Sequence, residues 1–142
     1  MTQLTEHFSL EEMTASETAA RLGLDNSPSL LIIRNLQELA EAMEDIREVL
    51  GYAIHVQSGY RSPEVNQAVG GASNSAHLEG YACDFTSPGF GSPKEVCEAI
   101  IESMLPFDQL IWEYEAWVHF SIDPRMRHDI LTIDRYGTRR GI

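Results

Sequence analysis

Three side chains able to bind a divalent metal stand in the second half of this chain. His77 lies in a segment of small and polar residues, Asp84 in a short apolar run after it, and His119 in a later apolar run. Two imidazoles and one carboxylate suit zinc, and three protein ligands leave a fourth tetrahedral position for water, the arrangement a hydrolytic site needs. The alternation around two of them agrees with a shared site. If residues 82–85 form a strand, Asp84 shares a side with Ala82, opposite Cys83 and Phe85; in a strand over 117–121, His119 shares a side with Trp117 and Ser121, opposite Val118 and Phe120. Each strand then has an apolar side for a core and a polar side for a site. Histidines satisfied inside a core are common, so residue types alone leave a structural reading open.

The elements that must position these groups are marked by local punctuation. Ser9 followed by Glu12 has the capping-box pattern of a short helix, and Ser16 opens another that closes near Gly23; the pair is expected to form a lid or side layer. Ser27-Pro28 opens the clearest helix, with Ile32, Leu36, Leu39, Met43, Ile46 and Leu50 recurring on one face and Gly51 as the stop. Residues 53–58 alternate as a half-buried strand does. Ser62-Pro63 starts a short helix to about Val69, residues 72–80 read as loop, and Ser92-Pro93 caps a helix to about Met104, broken by Pro106. Strands are expected at 109–114 and 117–121, with a weaker one at 130–133. The sum is an α+β fold, one domain over residues 1–142, with a small, mostly antiparallel sheet and helices packed on one side.

Three motifs sharpen this reading. Ser75-Ala76-His77-Leu78-Glu79-Gly80-Tyr81-Ala82-Cys83-Asp84 matches S-x-H-x-x-G-x-A-x-D at every defined position, Ser58-Gly59-Tyr60-Arg61-Ser62 matches S-G-[YF]-R-[ST], and Trp117-Val118-His119 matches W-x-H. In this order, over about residues 27–121, they resemble the zinc D-alanyl-D-alanine carboxypeptidase family. That family includes the vancomycin-resistance D,D-dipeptidases and phage L-alanyl-D-glutamate endolysins, and shares its fold with the Hedgehog signalling domain. The resemblance implies a Hedgehog/DD-peptidase-like fold and a zinc ion held by His77, Asp84 and His119. It implies Arg61 beside the substrate, where a guanidinium stabilises an oxyanion or holds a terminal carboxylate in a fork. The implied activity is a metallopeptidase on peptidoglycan stem peptides, of the D-alanyl-D-alanine carboxypeptidase type. An L-alanyl-D-glutamate endopeptidase with the same site is one alternative, and a non-catalytic zinc-binding wall or assembly protein is another.

The general base is where the chain departs from better-known members, which carry E-x-x-H. Here that position is Ala116, and the nearest acids are Glu113 and Glu115. A three-residue loop over 114–116 sets Glu113 opposite Trp117 on the side of His119, and a two-residue loop sends it to the other side. Glu113 is the expected base, because Glu115 at a hairpin tip is more often solvated. Gln57, with His55 on the same face, is a candidate for the cleft wall, and Ser75 is a candidate hydrogen-bond donor to substrate or to a ligand. Tyr60, Trp112 and Trp117 can wall a pocket for a small side chain, against the plainer reading of strand packing. Gly80 is expected to allow a tight turn between the first two ligands.

Twenty-two acidic against ten basic side chains give a formal charge of −12, which repels a phosphate backbone and excludes nucleic acid as an expected partner. No run is long enough for a membrane span, and the first residues lack a signal-peptide pattern. The expectation is a protein cytoplasmic as synthesised; a phage-encoded member would reach the wall by holin-assisted release or as a virion component. Cys83 and Cys97 are expected as free buried thiols. Arg125, Arg127, Arg135, Arg139 and Arg140 read as a solvated basic tail, too short for a separate wall-binding module. The sequence is silent on oligomeric state.

Overall fold

The computed structural model describes residues 2–142. Two short helices, α1 (Leu10–Thr14) and α2 (Glu17–Leu22), precede the long α3 (Leu30–Leu50). Then come β1 (His55–Ser58), α4 (Pro63–Ala68), a 3-10 turn (Ala76–Glu79), β2 (Ala82–Thr86), α5 (Pro93–Ser103), β3 (Gln109–Glu113), β4 (Trp117–Ser121), β5 (Asp129–Asp134) and β6 (Gly137–Arg140). Serine starts every helix: the hydroxyls of Ser9, Ser16, Ser29, Ser62 and Ser92 each accept a first-turn backbone N–H. Such a cap contributes about 1 kcal/mol. The cap of α3 is Ser29, two residues later than the Ser27-Pro28 pair suggests, because Ser29 Oγ is the group that reaches the Ile32 N–H. The segment 72–80, expected as loop, contains the 3-10 turn, again capped by serine, Ser75.

All six predicted apolar positions of α3 are buried. With Met13 of α1, Val96, Cys97 and Ile100 of α5, and Cys83, Phe85, Leu110, Val118 and Phe120 of the strands, they form one core on one face of the sheet. Each large apolar side chain so buried contributes roughly 1.5–3 kcal/mol. Because Phe8 and Met13 are fully inside this core, the N-terminal segment is part of it and not a lid. Both thiols are free, and burial pushes Cys97 up to about 12 and Cys83 well above the usual thiol range. No helix among the described residues is long and apolar enough to cross a membrane.

The sheet runs β1-β2-β4-β3-β5-β6, and it is mixed: β3 and β5 are parallel, whereas every other neighbouring pair is antiparallel. The mostly antiparallel expectation is corrected here. After β4 the chain steps across the start of β3, and β5 pairs with the far side of that strand. Asp108 fixes that step. Its buried carboxylate accepts the Arg127 backbone N–H and Nε–H at 2.9 Å each and Nη2–H at 2.8 Å, and its backbone carbonyl accepts the Asp129 N–H. His128 stacks on Phe107 with centroids 4.2 Å apart. The C-terminal arginines are therefore not a loose tail: Arg127 is clamped by Asp108, Arg125 by Asp123, and Arg139 on β6 by Asp134.

Candidate active site

The opposite face of the same sheet carries the candidate metal ligands. Asp84 on β2 and His119 on β4 are direct cross-strand partners, which places both side chains on one face with the expected parity. His77 arrives from the 3-10 turn, and Gly80, with φ 74°, reverses the chain so that Asp84 follows at the right distance. His77 Nε2 lies 3.2 Å from Asp84 Oδ1, and His119 Nδ1 lies 3.0 Å from the same oxygen. All three donor atoms fall within 4.8 Å of one another, and all three residues are buried. Zinc bonds of about 2.0–2.1 Å in a tetrahedron put neighbouring donors about 3.3 Å apart, so these separations fit zinc.

Orientation of the ligands is built in. His77 Nδ1–H donates to the Gly59 carbonyl at 2.7 Å, which leaves Nε2 with its lone pair toward the site. Gly59 is required there, because a Cβ on it would run into the Met13 carbonyl. Arg61 Nη2 donates to Asp84 Oδ2 at 3.1 Å while its Nε donates to Ser58 Oγ at 3.2 Å, leaving Oδ1 as the oxygen the imidazoles share. Buried Asn66, which no sequence motif singled out, accepts from Arg61 Nη1 at 3.4 Å. Burial opposes the charge on Asp84, but the positive charge and Nε2–H hydrogen bond that His77 offers in its protonated form, with a hydrogen bond from His119, outweigh it and hold the carboxyl well below its ordinary range. Burial pushes His77 down, toward the neutral form a metal requires.

The β3–β4 hairpin has the three-residue loop, with Glu113 opposite Trp117. Glu113 therefore lies on the site face, its Oε1 3.9 Å from His119 Nδ1. Burial, reinforced by the negative charge of Asp84, raises its pKa. Glu115 is at the exposed tip. These groups open into a cavity of about 630 Å³, lined by the three ligands, Arg61, Ser75, Glu113 and Trp117. Gln57 and Tyr60 are not on its wall: Gln57 is exposed on β1 with His55, and Tyr60 packs into the core, because the bulge between Val56 and Ser58 shifts the register at the end of that strand. Trp112 is on the core face under Lys94. The wall also takes in Arg125, Arg127, Leu131 and Ile133 from the C-terminal segment, which sequence reasoning left out. Their alternation on β5 is legible, but not which strand β5 joins.

A family model described as Peptidase M15 matches residues 6–121, a span that holds all three ligands, Arg61 and Glu113 and stops at the end of β4. A search of curated proteins finds no match to the chain. The family's metal dependence agrees with a buried His-Asp-His cluster whose donor atoms lie within 4.8 Å of one another in the wall of the cavity. By the extent of that match, the chain belongs to the Peptidase M15 family.

Proposed function

We propose that the chain, acting as one domain over residues 1–142, is a zinc-dependent peptidase that hydrolyses peptide bonds in peptidoglycan stem peptides. The observation that carries the reading is Glu113: although the sequence lacks the usual acid three residues before His119, a carboxylate stands on the triad's own face, 3.9 Å from His119 Nδ1. His77, Asp84 and His119 would hold zinc. When bound, zinc polarises a peptide carbonyl and lowers the pKa of water toward about 7. Glu113 Oε1 takes a proton from the attacking water and returns it to the nitrogen of the leaving amine, so proton and bond changes balance. Its raised pKa suits both roles. Arg61, already tied to Asp84, steadies the ligand and presents positive charge to substrate at the cavity wall, with Ser75 and Trp117 as further substrate contacts.

Within this reading, D-alanyl-D-alanine carboxypeptidase and L-alanyl-D-glutamate endopeptidase share the same machinery. The cavity's extension from the triad to β5 suits a peptide longer than a dipeptide, which the stem peptide provides for either activity. The test is a digest of purified peptidoglycan with added zinc, with chelator, and with Glu113→Gln. Product release that needs zinc and falls about 10²–10⁴-fold in the variant supports the base assignment. Fragment masses tell loss of a terminal alanine from a cut beside the sugar-linked residue. Zinc bound at the triad with no product under any condition would replace the enzyme by a non-catalytic zinc protein on the same fold.

A further inference from the structure

The triad is only part of the cavity, whose wall also takes in residues 69–72, Asn74 and Ser75, and strands β3 and β5. Crossing the sheet from it, β2 and β4 carry ligands, β3 carries Gln109, Ile111 and Glu113, and β5 carries Leu131 and Ile133. Ile111 pairs with Leu131 and Glu113 with Ile133, so all four share the cavity face. Ile130 packs against the core and Thr132 is buried, which confirms that the alternate residues of β5 turn to the other side. Leu131 and Ile133 are thus an aliphatic pair left half-buried in the wall of the cavity that also holds the candidate metal site. The two nearby cations do not make this an anion site: Arg127 is held by Asp108 and Asp129, and Arg125 by Asp123. Both aliphatic residues lie beyond residue 121, outside the stretch the family model covers.

Length points the same way. Neighbouring strands stand about 4.8 Å apart, so the three steps from β2 to β5 span about 14 Å, and an extended peptide rises about 3.3 Å per residue. About four residues fit along that path, twice what a dipeptide would use.

We infer that Leu131 and Ile133, with Ile111, form a subsite for the methyl or methylene groups of a substrate residue two or three positions from the bond that is cut. They are specificity-determining residues for a peptide of about four residues or more. This rests on the peptidase reading and adds to it the length and polarity of the substrate. Burying one or two such groups in a matched pocket discriminates by about 10–200-fold.

The experiment uses the zinc-loaded full chain and stem peptides trimmed stepwise from five residues to two around the bond identified by mass. The expected result is a kcat/KM that rises at least about tenfold from two residues to four, carried mainly by KM. Leu131→Ser and Ile133→Ser each lower the ratio of long-peptide to short-peptide kcat/KM by about tenfold, and Leu131→Met and Ile133→Val keep it near the wild-type value. Bound zinc and melting temperature are measured on each variant; for one that fails to fold, the wild-type length profile and the conservative variants decide. A flat wild-type profile, or serine variants with an unchanged ratio, overturns the subsite while leaving the peptidase reading intact. A zinc-bound wild type that cuts no peptide of any length overturns both.

Discussion

The metal end of the cavity and its β5 end lie on one face of one sheet, yet they are held by unlike means. At the metal end direction is fixed atom by atom: Asp84 Oδ1 faces both imidazoles, Asp84 Oδ2 accepts from Arg61, and His77 Nδ1 is tied to the Gly59 carbonyl. At the β5 end the backbone ladders to β3 and β6 and the ion pairs Asp108–Arg127 and Asp134–Arg139 hold the strand, and what β5 itself turns to the cavity is aliphatic. A metal site would need lone pairs closely aimed, and a satisfied hydrogen-bond network of this kind supplies that aim. Recognition of an aliphatic group needs area and shape, which tolerate volume-conserving change.

The widest gap between the two ends should appear when one ligand is removed. Asp84→Asn is expected to lose bound zinc by elemental analysis and at least about a thousandfold of any hydrolysis, consistent with the several kcal/mol a metal supplies to the transition state. Added zinc should then raise the melting temperature of the wild type and not of the variant, because only binding to the folded state stabilises. A variant that kept stoichiometric zinc would remove the triad as the metal site.

Asp108 tests whether the β5 end is a separate mechanical unit. Asp108→Ala strips a buried carboxylate from Arg127 and should cost about 3 kcal/mol in urea unfolding, while leaving the zinc donors in place. The pH dependence has a definite sign. Burial opposes the Asp108 charge, but hydrogen bonds from Arg127 prevail and lower its pKa. Its contribution is therefore present above the unfolded carboxylate value of about 3.9 and disappears as pH falls through the depressed folded value. The variant should show a flatter stability curve across that acid window.

The smallest effect is expected at the hairpin joining β3 to β4. Tyr114 and Glu115 both adopt left-handed backbone, with φ of 52° and 59°, a conformation that glycine accepts without strain. Glu115→Gly should stabilise the fold by about 1 kcal/mol, read as a higher melting temperature with unchanged zinc content. A loss of stability there would show that the Glu115 side chain contributes to the fold despite its exposure.

Much of the metal end was legible in the sequence because its signals are local. Period-two alternation assigned Asp84 and His119 to the face opposite Cys83, Phe85, Val118 and Phe120, whereas the loop length that puts Glu113 beside them stayed open until the structure showed three residues. The serine caps of α1, α2, α4 and α5 and the apolar stripe of α3 were equally plain, whereas the α3 cap is Ser29 and not the Ser27-Pro28 pair. Gln57 was misplaced because a bulge in β1 breaks the alternation on which that reading depended, and Tyr60, beyond the end of β1, takes the plainer packing role.

By itself the sequence determined which atoms can bind a metal and which side of each strand Asp84 and His119 take, since pleat and caps are set by neighbours along the chain. The tertiary structure alone decided that β5 lies beside β3, that Asp108 clamps Arg127, that Gly59 orients His77, and that Arg61 holds Asp84. Those are contacts between segments many residues apart, fixed by how the faces pack together and by the need to satisfy each buried polar atom, and no local pattern encodes the choice of partner.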